Sequence, residues 1–157
     1  MGYIDIDSFK AFNTKYGETS VDRYLLPRFM RTLEAHTLFH GHTYRFGGDE
    51  YMVLLPNMSF DHGMNFLSDL PRKLSVLDYG EITEKTTVSI GVCIVEVDTF
   101  LTDREVEQKA NEAKNYAKKN GGNCIASYKG IEFRAEDLHI MRRNAVAPAQ
   151  QALDVKK

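Results

Sequence analysis

The chain has 157 residues, 43% hydrophobic and 27% charged, the profile of one soluble domain. Twenty basic against twenty-two acidic residues leave a formal charge of -2, which excludes a general electrostatic grip on duplex nucleic acid. No apolar run approaches the ~20 residues of a membrane helix, and the two cysteines, Cys93 and Cys124, show no metal-type spacing, so the expected setting is a reducing cytoplasm without membrane attachment.

Residues 3–6 read as a short strand close to the N-terminus. Val21, Leu25, Phe29 and Leu33 recur every fourth residue, with Leu26 and Met30 beside them, and predict a helix from Ser20 with one apolar stripe. Pro27 either kinks that helix or marks a late start. Residues 43–46 and 51–55 predict two strands joined tightly through Gly47, Gly48, Asp49 and Glu50, where glycine can reach positive φ and the two acids are expected on an exposed turn. Pro56 and Asn57 stop the second strand, and a helix follows from about Ser59 with Leu67, Leu70, Leu74 and Leu77 on one face and a distortion at Pro71.

The β-branched run at 86–95 suits a central strand. Thr102 followed three residues later by Glu105 is a capping-box pattern. It opens a helix with Val106, Ala110, Ala113 and Ala117 facing inward, ended by Asn120, Gly121 and Gly122. Residues 124–128 predict a last core strand, and the chain beyond about Asn144 reads as a frayed tail. The order β-α-β-β-α-β, then α-β, predicts an α+β ferredoxin-like palm: a central, mainly antiparallel sheet whose first six elements form a split βαβ unit with helices on one face. The expected division is a catalytic domain over 1–134 and a C-terminal extension over 135–157.

In that topology the first strand is central and lies beside the third, and each carries acids at its end. Asp5 and Asp7 alternate around Ile6 and so share a face; Asp49 and Glu50 sit on the glycine connection. Either pattern alone reads as a solvated strand end or a plain hairpin. Brought together, hard oxygen ligands from two strand ends suit Mg²⁺ or Mn²⁺, completed by water and substrate phosphates. His36, His40 and His42 form one local run without partners and read as solvated surface.

The run Asp5-Ile6-Asp7-Ser8-Phe9-Lys10-Ala11-Phe12-Asn13, then Tyr16-Gly17 and Asp22, then Arg45-Phe46-Gly47-Gly48-Asp49-Glu50-Tyr51, closely resembles the GGDEF family of nucleotidyl cyclases. Thr87 to Gly91, and Ala113, Ala117, Lys118, Gly121 and Asn123, resemble that family's later motifs in the same order. The resemblance spans about residues 3–128. It implies a diguanylate cyclase that condenses two GTP into cyclic di-GMP and pyrophosphate. By the same resemblance Asp5, the Ile6 carbonyl, Asp49 and Glu50 would bind Mg²⁺ or Mn²⁺, and Asp49 or Glu50 would help deprotonate the attacking 3′-hydroxyl. Lys10, with the amides around Ser8 and Phe9, and Lys118 would hold the triphosphate. Gly47 and Gly48 would let the nucleotide approach closely, and Asn13 and Asp22 would read guanine.

The chain also departs from the family pattern. Glu18 stands for a histidine and Val21 for a glycine beside the base pocket, and Gly122 replaces an arginine that helps Lys118 hold phosphate. Tyr51 replaces phenylalanine, with its hydroxyl expected at the edge of the packing. The stretch Leu38-Phe39-His40-Gly41 lacks the Arg-x-x-Asp motif of product inhibition, and no counterpart of the family's usual helix ahead of the first strand is expected before Tyr3, as in either an excised catalytic domain or a compact stand-alone branch. One domain offers one nucleotide, so two chains must meet across a two-fold axis in a weak or ligand-dependent homodimer, with regulation supplied by a domain or partner outside this chain. Two alternatives are a palm-type cyclase using ATP or mixed nucleotides, like minimal CRISPR polymerases, and a non-catalytic nucleotide-binding interaction module.

Overall fold

The computed structural model describes residues 1–96, 100–130 and 132–142. Its sheet has six strands in the order β2-β3-β1-β4-β5-β6. β1 (Gly2–Ile6) lies between β3 (Glu50–Leu54) and β4 (Val88–Val92), antiparallel to both, and every one of its residues is buried. β2 (His42–Arg45) forms the outer edge against β3. β4 pairs in parallel with β5 (Cys124–Tyr128), a geometry that requires a crossover, and α6 (Asp103–Lys119) provides it.

Strand alternation divides the core between two faces. Ile4 and Ile6 of β1, Tyr51 and Val53 of β3, and Ile90 of β4 enter one cluster with the apolar residues of the first two helical stretches. Tyr3 points the other way, to Val106 and Ala110 of α6, and Cys124, Ala126 and Tyr128 meet Ala113 and Ala117. The βαββαβ unit thus keeps its helices on one side, and α6 covers the other.

Pro27 and Pro71 each define a helix start. The stripe predicted from Ser20 is a turn of π-helix, Val21–Leu25, followed by α3 (Leu26–Thr37) with Pro27 in its first turn. Pro27 has no N–H to offer the Arg23 carbonyl and its ring crowds that position. The backbone widens instead, and the Leu26 N–H donates to the Val21 carbonyl five residues back. In the same way Pro71 opens α5 (Leu70–Ser75), separating it from α4 (Phe60–Ser68), so the single helix predicted from Ser59 is two. The capping box at Thr102 forms in both directions.

Three elements were not predicted. α1 (Phe9–Tyr16) and the short α2 (Glu18–Ser20) escape pattern reading because Phe12 is their only buried residue. Beyond a 3₁₀ turn at Ala135–Asp137, β6 (Leu138–Met141) adds to β5, so the sheet continues into the stretch assigned to the C-terminal extension. The tail expected after Asn144 lies outside the described residues.

Gly91 determines how closely α6 approaches the sheet. A Cβ there would lie 2.0 Å from the Ala110 carbonyl oxygen and 2.1 Å from the Lys114 nitrogen, so helix backbone rests directly on β4. Gly91→Ala is expected to lower stability by about 3 kcal/mol or more, since backbone on both sides must separate, and urea unfolding measures the loss.

Candidate active site

The register of β1 against β3 sets Asp5 opposite Glu50, and the Ile6 N–H donates to the Asp49 carbonyl at 3.2 Å. Strand pairing therefore joins the two acidic patterns, as the topology predicted. From α6, Lys114 Nζ lies 3.4 Å from Asp5 Oδ2 and 3.1 Å from Glu50 Oε1. Lys118, one turn further on, places its Nζ 2.5 Å from Asp5 Oδ1, an ion pair without the direction of a hydrogen bond. Lys114 is deeply buried, its side chain 5% exposed, with its ammonium 5.0 Å from the centre of the Tyr3 ring. Burial, and then the charge of Glu50, push the Tyr3 phenol up to about 12.

Asp7 serves the fold. Its carboxylate accepts from Thr87 Oγ1 at 2.8 Å, from Ser89 Oγ at 2.6 Å and from the Asn123 amide at 2.9 Å, tying β1 to β4 and to the loop after α6. Gly122 in that loop has φ +62°, and a Cβ on it would come within 3.0 Å of Asp7 Oδ2, so the replacement of arginine suits this backbone. Arg142 donates to the carbonyls of Asn120 and Gly122 and sets a different guanidinium on the same loop.

The glycine connection differs from expectation. Neither Gly47 nor Gly48 is in the left-handed region. A Cβ on Gly47 would stand 3.5 Å from Glu50 Oε2, and one on Gly48 3.8 Å from Phe9, so these glycines keep the approach to the acids and to α1 clear. Arg45 holds the connection by donating to the carbonyls of Gly47 and Gly48. Glu50 is the first residue of β3 and is held by Lys114, in place of the exposed turn position expected for it. Asp49 is partly buried; desolvation first, and then the charge of Asp5, hold its carboxyl above the ordinary aspartate range. The Tyr51 hydroxyl is also not at an edge. The side chain is fully buried against Phe29, its oxygen has no hydrogen-bond partner among the described residues, and burial pushes the phenol up to about 12.

The residues expected to hold nucleotide lie on α1 and the π turn. Ser8, at φ +56°, turns the chain into α1, whose first turn carries Phe9 and an exposed Lys10. Asn13 keeps a buried side-chain oxygen without a hydrogen-bond partner among the described residues, and Asp22 is exposed on the π turn. Glu18 is exposed, whereas Val21 packs in the main core and so does not line a pocket.

The donors at the strand ends are all oxygen, which fits Mg²⁺, an ion that commonly takes only one or two protein carboxylates. They do not form a ready-made cage: among the described residues no three His, Cys, Asp or Glu side chains gather as a metal cluster. Lysines stand against Asp5 and Glu50 instead. Sequence reading missed Lys114 because a lysine in a charged helix normally belongs to its solvated face. The available signal was spacing, since Lys114 falls on the stripe of Ala110, Ala113 and Ala117.

A family model described as diguanylate cyclase, GGDEF domain, matches residues 2–124. The chain is 30% identical over 126 residues to an uncharacterized membrane protein, SH2145, of Staphylococcus haemolyticus, covering 78% of this chain and 35% of that protein. It therefore spans about a third of the length of that curated relative. Among solved structures, it matches the active GGEEF domain of a diguanylate cyclase from Vibrio cholerae with a TM-score of 0.72 at 22% identity, covering 82% of this chain and 81% of that one. The GGDEF domain of DgcB from Caulobacter crescentus, in complex with c-di-GMP, matches with a TM-score of 0.71 at 22% identity, over 80% and 75% of the two chains. These structural likenesses concern the fold. Among the described residues, no helix is long and apolar enough to cross a membrane.

Asp49 generates a prediction about pH. A carboxyl whose folded pKa is raised contributes stability below its unfolded value and loses it as pH rises through the folded one. Metal-free protein should therefore lose stability across the carboxylate range, and Asp49→Asn should remove that component. The variant is expected to be more stable than wild type at pH 7, with the gap closing below about pH 4, in urea unfolding with chelator.

Proposed function

The chain belongs to the GGDEF family of diguanylate cyclase domains, and from that premise we propose that it condenses two GTP into cyclic di-GMP, releasing two pyrophosphates. The observation that carries this reading is the pairing of Asp5 with Glu50, next to Asp49, beneath two lysines of α6. In each half-reaction the 3′-oxygen of one nucleotide bonds to the α-phosphorus of the other, the bond to pyrophosphate breaks, and the hydroxyl proton leaves to a base. Asp49 would be that base, with Glu50 beside it. Carboxylates of Asp5, Asp49 and Glu50 and the Ile6 carbonyl would hold Mg²⁺ or Mn²⁺, which when bound would supply positive charge to the phosphate oxygens.

Lys10 and the amides of Ser8 and Phe9 at the start of α1 would hold the triphosphate, with Lys118 turning from Asp5 toward it. Gly47 and Gly48 leave room for the approach. Guanine offers N–H donors on one edge, and Asn13 and Asp22 both present oxygen acceptors: one buried without a partner among the described residues, one exposed. Closing the second phosphodiester requires two chains face to face across a two-fold axis, in a weak or ligand-dependent homodimer. Regulation comes from another domain or partner, and the domain works in the cytoplasm, where GTP is at hand.

Incubation with each NTP, alone and mixed, and Mg²⁺ should yield cyclic di-GMP from GTP by mass spectrometry. Asp49→Asn should lower the rate by about 10²–10⁴-fold. ATP-only turnover would replace this reading by a palm-type cyclase of another nucleotide, and nucleotide binding without any product by a non-catalytic module. Asp22→Ser should relax the preference for GTP over ATP by roughly 10–100-fold in kcat/KM, the weight of a hydrogen bond to a charged group; an unchanged ratio would move base reading to other residues.

A further inference from the structure

We propose that Lys114 permanently fills one of two cation positions in the acidic site, so that the chain takes a single divalent ion where a carboxylate site for phosphoryl transfer can take two. The inference rests on the metal-dependent reading above and specifies how many ions that reading requires.

The Lys114 ammonium bridges Asp5 Oδ2 and Glu50 Oε1, two carboxylates from adjacent strands, as a metal shared between them would. Two-metal sites hold their ions roughly 3.5–4 Å apart and use them to balance the charge of the attacking and leaving oxygens. Here one of those charges is already part of the protein.

The two lysines differ in their freedom to leave. Lys118 has a side chain 36% exposed and can withdraw from Asp5 into solvent. Lys114 has one 5% exposed, beside the Tyr3 ring, on a stretch of helix whose backbone nitrogen rests against Gly91. Its withdrawal would require α6 to lift from β4. A divalent ion in its place would leave a buried ammonium without a counter-charge, an arrangement proteins avoid. The position that remains would be formed by Asp49, by Glu50 Oε2, which Lys114 does not hold, and by Asp5 Oδ1 once Lys118 has moved. Lys114 is thus a positioning residue: it holds Asp5 and Glu50 together before any metal arrives and limits the site to one ion.

The test counts metal on the whole chain with Mn²⁺ as the probe, following free Mn²⁺ by electron paramagnetic resonance and folding by circular dichroism. Wild type is expected to bind one Mn²⁺ per chain, K118M also one, and K114M two. A wild-type count of two, or of none, overturns the proposal even if K114M fails to fold. Equal counts in folded K114M and wild type overturn it as well, as does a second ion gained by K118M. A wild type that binds one Mn²⁺ yet makes no cyclic product defeats the enzymatic reading and leaves the count standing, so the two failures are distinguishable.

Discussion

The pairing of Asp5 with Glu50 across β1 and β3 is the constraint on which the rest of the structure depends. Like charges directly opposite one another destabilise a sheet, and Asp5 is buried. The arrangement persists because a cation is delivered between them, and delivery sets conditions elsewhere. Lys114 reaches the pair only if α6 lies flat on β4, and α6 lies flat only because residue 91 has no side chain. Gly91, Lys114, Asp5 and Glu50 thus form one dependency, spread over three strands and a helix. The parallel pairing of β4 with β5 carries α6 over the correct face.

The opposite wall of the site is built on irregular backbone. Ser8 is in the left-handed region, Asn13 leads to a glycine at φ +79°, and Asp22 sits on a π turn enforced by Pro27. Regular strands fix the acids to one another, and wide or reversed turns aim single side chains from α1 and its successor. Such turns recur at functional sites because they redirect one residue without shifting the element that follows.

Much of the fold could be read from the sequence, and the reasons are local. The capping box at Thr102 announced α6 because a hydroxyl and a carboxylate three residues apart satisfy each other's backbone amides. The apolar stripe of α3 was visible because it faces a core, whereas α1, with Phe12 as its only buried residue, has no stripe to read. β6 is short and half-buried throughout, so neither alternation nor an apolar run marks it. At the site, the acids were legible as patterns, but the roles of Asp7, Tyr51 and Lys114 were not. Each depends on a partner more than 60 residues away or on the depth of burial, and spacing along a chain encodes neither.

The two halves of the electrostatic balance are far apart in synthesis. The acidic pair is complete once residue 50 has left the ribosome, while its buried counter-ion is supplied by residue 114, on the last long helix. Pairing β1 with β3 before α6 docks would bring Asp5 and Glu50 together without their buried cation, so the central strands gain their full incentive to pair only when the crossover helix docks. Docking of α6 and pairing of β1 with β3 are thus coupled through charge, although Lys114 and Glu50 lie more than 60 positions apart in the chain.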